Sequence, residues 1–193
     1  RRNIEVVIDG LRSEGYRFGL HRDGSVRERY VAPFVSPASN TASKIDELER
    51  QVGQLPLSLV AWWLHVGSVD LRGYGLGLPR FVDPFMVCSL EDIIAGVNEW
   101  QNECNLGAIE DMGHFPINLS PDRFQKDEAS GAGSYSLFVP DHRADGSVAL
   151  EHGSIMFVDY IRLNIMSGGF PRIAELGAPA KRSKNAALDS ARN

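Results

Sequence analysis

Residues 43–67 read Ser43-Lys44-Ile45-Asp46-Glu47-Leu48-Glu49-Arg50-Gln51-Val52-Gly53-Gln54-Leu55-Pro56-Leu57-Ser58-Leu59-Val60-Ala61-Trp62-Trp63-Leu64-His65-Val66-Gly67. Ser43 is placed to cap a helix, and Asp46 three residues on suits its positive N-terminal end. Ile45, Leu48 and Val52 then fall on one helical face, and Gly53 ends the run. Pro56 fits the first turn of a second helix. That helix, Leu57 to Val66, is apolar on nearly every side, the pattern of a buried helix, and Gly67 stops it. The unit is therefore helix, Gly, Leu-Pro, buried helix, Gly, and with the strands read downstream it opens an α+β core over residues 43–172.

Upstream, Ile4, Ile8 and Leu11 line one face of a helix over 3–14, followed by a short strand at Tyr16-Arg17-Phe18. Asp23-Gly24 reads as a turn. Residues 1–30 form an N-terminal helix and strand, and the proline-bearing stretch 31–42 reads as a linker loop. Downstream, Ser68–Leu71 and Phe85–Cys88 have the character of short strands, separated by a glycine-rich turn at Gly73, Gly75 and Gly77. Ser89 opens a helix to Glu103 with Ile93, Val97 and Trp100 facing inward. Phe115–Leu119 and Tyr135–Val139 alternate as two strands that pair across a turn at Gly131–Gly133. A last helix spans Ser154 to Ser167 before Gly168-Gly169 and Pro171. Residues 173–193 have little to bury and are expected to be a disordered tail.

The chain has 193 residues, is 43% hydrophobic and 23% charged, and fits one domain. At this length a single core buries about 70% of the surface exposed by the unfolded chain, so no metal or disulfide is needed. No apolar run approaches the roughly 20 residues of a membrane helix. The net charge of −5 argues against direct nucleic-acid binding. Cys88 and Cys104 are the only cysteines, read as free thiols of a cytoplasmic protein. The first residues, Arg1-Arg2, suggest a piece of a longer polypeptide.

Charge is unevenly distributed. Residues 91–128 carry nine acids (Glu91, Asp92, Glu99, Glu103, Glu110, Asp111, Asp122, Asp127 and Glu128) against Arg123 and Lys126, a net −7. From Lys181 onward the chain is +3. An acidic face is ordinarily just solvated; the functional alternative is steering of a basic partner.

Motifs that carry catalysis are absent. Gly73-Tyr74-Gly75-Leu76-Gly77 precedes a strand rather than a helix, so it lacks the setting of a phosphate cradle. Asp141-His142-Arg143-Ala144-Asp145-Gly146 has Arg143 where a calcium loop needs an oxygen ligand. His114, His142 and His152 show no zinc-site spacing. Cys104 lies in the most acidic segment, which disfavours a reactive thiolate. No catalytic residue, cofactor or metal ligand is assigned, and the oligomeric state is open. Trp62 and Trp63 point about 100° apart on their helix, so one can fill the core while the other anchors a partner at a rim; both in the core is the favoured reading.

The stretch Glu49 to Pro56, the following Leu57–Trp63 and Val66-Gly67 resemble the opening of the SUKH superfamily. The strand Phe85–Cys88 leading into helix Ser89–Glu103 follows that family's order. The resemblance implies an antiparallel sheet packed against several helices, and a binding function. Many bacterial members resemble immunity proteins that neutralise toxins, often basic nucleases; eukaryotic members resemble regulatory scaffolds. No catalytic residues come with it. Separately, Phe157-Val158-Asp159-Tyr160-Ile161-Arg162-Leu163 with Gly168-Gly169-Phe170-Pro171 resembles the closing motif of a group of bacterial proteins without assigned chemistry, whose opening helix also ends in a stretch like Gly15-Tyr16-Arg17-Phe18. The expectation is a non-catalytic protein-binding module meeting a basic toxin. Its binding residues would be Glu99, Glu103, Glu110 and Asp111, with Trp62 or Trp63 as anchor. The alternatives are a scaffold domain, or a hydrolase with a site assembled from histidines and carboxylates.

Overall fold

The computed structural model describes residues 1–28, 30–105, 113–131 and 133–171. The expected tail 173–193 and the acids Glu110 and Asp111 lie outside them. The described residues form an α+β fold of helices packed against antiparallel sheets around one principal core.

Helix α1 (Arg2–Ser13) buries Ile4 and Ile8, as its periodicity requires. Its stripe joins the main core, so the N-terminal segment shares the core of residues 43–172. Strand β1 (Arg17–Phe18) pairs with β4 (Gly73–Tyr74). Gly73 explains itself there: a Cβ would lie 2.4 Å from the Arg17 carbonyl oxygen, so close strand approach, not phosphate binding, requires glycine.

Residues 31–42 are more than a linker. Phe34–Val35 forms β2, which pairs with β3 (Ser68–Asp70), and β3 pairs with β5 (Met86–Val87). Proline and serine signals masked a strand of only two residues. Gly67 is what brings β2 so near: its φ is +105°, and a Cβ would sit 2.1 Å from the Val35 oxygen.

Helix α2 (Thr41–Val52) begins before the expected cap. Ser43 lies inside its first turn, its hydroxyl donating to the Asn40 carbonyl at 2.9 Å. The inward face is as read: Ile45, Leu48 and Val52 are buried, with Thr41 beside them. Helix α3 (Leu57–His65) has Pro56 at its N-cap, and only Leu59, Trp62 and Trp63 are buried. The all-round apolar pattern overstated its burial, since Leu57 is 61% exposed.

Helix α4 (Leu90–Asn105) packs Leu90, Ile93 and Val97 inward. It is capped as expected: Ser89 Oγ accepts the Asp92 N–H at 3.1 Å and donates to the Asp92 carboxylate at 2.7 Å. β6 (Phe115–Ser120) and β7 (Tyr135–Val139) pair antiparallel, Ile117 opposite Leu137, with the short helix α5 (Arg123–Lys126) between them in sequence. β7 continues to β8 (Ser147–Leu150) and β9 (Gly153–Met156). The last helix, α6 (Phe157–Met166), thus starts later than Ser154, because residues 153–156 complete a hairpin through Gly153. Cys88 N–H donates to the Leu119 carbonyl at 2.7 Å, joining β5 to β6 and hence one sheet to the other.

Candidate functional site

Register assigns the two faces of the sheet β2-β3-β5. Phe34, Val69 and Val87 lie opposite one another on the face that enters the core. Alternation puts Val35, Ser68, Asp70, Met86 and Cys88 on the other face. That outer face floors a groove of about 490 Å³, in the range of binding clefts. Glu28, Val31 and Ala32 flank it on one side; Ser89, Glu91 and Asp92 at the start of α4 flank it on the other. A smaller hollow of about 160 Å³ shares Val35, Ser68, Ser89 and Glu91 with the groove and extends it toward Pro37 and Thr41.

Groove electrostatics favour cations. Four carboxylates (Glu28, Asp70, Glu91 and Asp92) face one guanidinium, Arg72. Arg72 holds Asp70 bidentately at 2.6–3.1 Å, a neutral unit set into the floor. Lys44 binds Glu91 at 2.6 Å and keeps its carboxyl below the usual carboxylate range. Glu28 and Asp92 make no ion pair among the described residues. Burial, reinforced by Asp92, pushes the Cys88 thiol up to about 12, so it contributes no charge at neutral pH. The apolar part is exposed: Val31 is 81% and Val35 40% accessible.

The acidic character runs down α4. At 100° per residue, Asp92, Glu99 and Glu103 fall within about 40° of one another. They form one exposed stripe about 17 Å long, opposite the buried face of Ile93 and Val97. Glu99 and Glu103 stand four apart with like charge, and the last turn of α4 has no basic residue to complement the helix dipole. Folding is better served by the opposite arrangement.

Both tryptophans fill the core, and the anchor role is corrected. Trp62 is 6% and Trp63 1% exposed, so neither reaches the surface to anchor a partner. Trp62 packs edge-on against Phe85 and Phe157, and Trp63 Nε1 donates to the Cys88 carbonyl at 3.4 Å. Their adjacency splits them between two directions, and neighbouring elements cover both.

Of the features weighed for catalysis, the Asp141–Gly146 loop does structural work, while Cys104 and His114 line a cavity of about 400 Å³ with no carboxylate among its described lining. Arg143 pairs with Asp141 at 2.7 Å, while Asp145 accepts the Ser58 hydroxyl at 2.7 Å and the Val158 N–H at 3.3 Å at the start of α6. His142 binds Gln54 at 2.5 Å, and His114 and His152 are exposed. Among the described residues no three His, Cys, Asp or Glu side chains gather to hold a metal. A second polar cluster, which spacing did not reveal, lies beneath the loop that ends at Pro84. Lys126 Nζ donates to Asp83 at 2.6 Å, and the Tyr135 hydroxyl donates to the other Asp83 oxygen at 2.9 Å. Lys126 is 1% and Asp83 7% exposed. The small neighbouring cavity, about 30 Å³, admits no more than a water-sized molecule.

The class defined by fold and site is an α+β protein with an acid-rimmed groove on the outer face of a sheet. Compared with protein-family models, with curated proteins and with solved structures, the chain matches none. No helix among the described residues is long and apolar enough to cross a membrane.

Proposed function

We propose that this protein is a non-catalytic protein-binding module that recognises a basic protein partner through α4. The carrying observation is the exposed stripe that runs from the helix-capping Asp92 at the groove rim to Glu99 and Glu103, a self-repelling pair that the fold does not require. A field of one sign speeds encounter with a partner of the other, whatever the short-range contacts are. The SUKH-like order of elements supports the same reading and extends it to a bacterial immunity protein, with a basic toxin, such as a nuclease, as its partner. The use of only two cysteines, with no disulfide framework, suits a cytoplasmic setting.

The test begins with affinity capture from a bacterial lysate at 20 and 500 mM salt, and mass spectrometry of the retained protein. A single basic protein, lost at high salt, is the expected result. Its association rate with the Glu99→Lys/Glu103→Lys variant should fall at least tenfold at low salt. An unchanged on-rate, or retention of acidic proteins only, overturns the reading.

A further inference from the structure

We propose that the groove over the outer face of β2-β3-β5 seats an extended segment of the partner in which basic and apolar side chains alternate. The inference rests on the binding reading above and assigns that partner its chemistry.

Three observations converge on this occupant. The groove and its side hollow are continuous through Val35, Ser68, Ser89 and Glu91, so the site is elongated, suited to a run of residues rather than a compact ligand. Its apolar ground is uncovered: Val31 and Val35 are exposed beside Met86. Its rim is anionic, and two of the carboxylates, Glu28 and Asp92, form no ion pair among the described residues. The Asp92 carboxylate accepts the Ser89 hydroxyl at the N-terminus of α4 and complements the positive end of the helix, so this end does not attract anions. In an extended segment, side chains on one side recur about every 6.6–7 Å, so valines can cover the apolar ground while lysines or arginines reach the rim. The cations would meet Glu28 and Asp92 first. Glu91, already shared with Lys44, contributes less, and Asp70 is committed to Arg72.

The probes are three labelled octapeptides: one alternating lysine and valine, one glutamate and valine, one lysine and serine. Binding to the intact chain is read by fluorescence anisotropy at 20 and 500 mM salt. The lysine–valine peptide should bind and weaken with salt, and the glutamate peptide should not bind. The lysine–serine peptide should bind at least tenfold more weakly. Glu28→Gln/Asp92→Asn should weaken lysine–valine binding at least tenfold. Asn keeps the cap acceptor, and the variant's unfolding midpoint checks that α4 stays formed. Glu99→Gln/Glu103→Gln should change peptide binding less than twofold.

No binding of the lysine–valine peptide overturns the proposal. So does equal binding of the lysine–serine peptide, which would reduce the contact to charge alone. Peptide affinity that falls as protein concentration rises would place a second copy in the groove and equally overturns it. The two readings fail separately. A basic partner whose capture survives Glu28→Gln/Asp92→Asn but not Glu99→Lys/Glu103→Lys removes the groove and keeps the module. Peptide binding at the groove without any captured basic partner does the reverse.

Discussion

Replacing Asp83 with Asn tests the physical account of the core most directly. The change preserves shape and the acceptor for Tyr135, but removes the charge opposite Lys126. At 2.6 Å and an effective dielectric near 20 the lost attraction is about 6 kcal/mol. Relaxation and loss of the lysine proton recover part of this, leaving a net cost of about 3–5 kcal/mol. That is a large share of the roughly 5–15 kcal/mol that holds an ordinary domain. Urea unfolding followed by tryptophan fluorescence measures it. Asp83→Asn/Lys126→Met should be more stable than Asp83→Asn alone, because no charge is then stranded.

The pH dependence carries a sign. Burial already holds Lys126 below its usual value, opposed by Asp83 and more weakly by Asp70, while Arg72 adds to the lowering. Without the Asp83 charge the folded lysine loses its proton at still lower pH, whereas the unfolded lysine keeps its own up to about 10.4. The folded state then binds fewer protons, so stability of Asp83→Asn rises with pH by about 1.4 kcal/mol per unit across that window. Additive single substitutions, or a variant that loses stability on going from pH 7 to 10, would refute the reasoning.

Three further outcomes are expected. Trp62→Ala should cost about 3–5 kcal/mol in chemical denaturation; a variant of unchanged stability that binds partners poorly would restore Trp62 as a surface anchor. Gly67→Ala should destabilise by about 1–3 kcal/mol and open the β2–β3 pair, seen as faster amide exchange at Asp70, whose N–H donates to the Pro33 carbonyl, because the new methyl meets the Val35 oxygen. Cys88, its thiol raised from 9.0 to about 12, should alkylate about a thousandfold more slowly at pH 8 than an unshifted thiol, and urea should abolish that protection; peptide mapping by mass spectrometry reads both.

Local periodicity made much of this architecture legible. The inward faces of α1, α2 and α4, the Ser89–Asp92 cap and the pairing of Phe115–Leu119 with Tyr135–Val139 all follow from residues close in sequence. What stayed hidden depends on distant partners. β2 is a strand only because Val69 lies opposite Phe34, and two residues among prolines carry no period to read. Strand β9 falls inside the apolar stripe that reads as the start of the following helix. Glu99 and Glu103 were visible as acids on a helix surface, yet the groove beside them is assembled from Glu28, from residues 31–35, 68–72 and 86–92, and no spacing announces it. The Lys126–Asp83 pair spans 43 positions and escaped for the same reason.

The seat of α1 has a bearing on biosynthesis. This helix contacts α6, and Gly169 lies against Val7, Leu11 and Leu71. Its amphipathic stripe therefore emerges from the ribosome about 160 residues before part of its cover. At 5–20 residues per second it waits roughly 8–30 s with apolar surface open to water. The nascent chain is thus a natural client for a ribosome-associated chaperone, and codon changes that slow elongation between α1 and α6 would lengthen its time at risk.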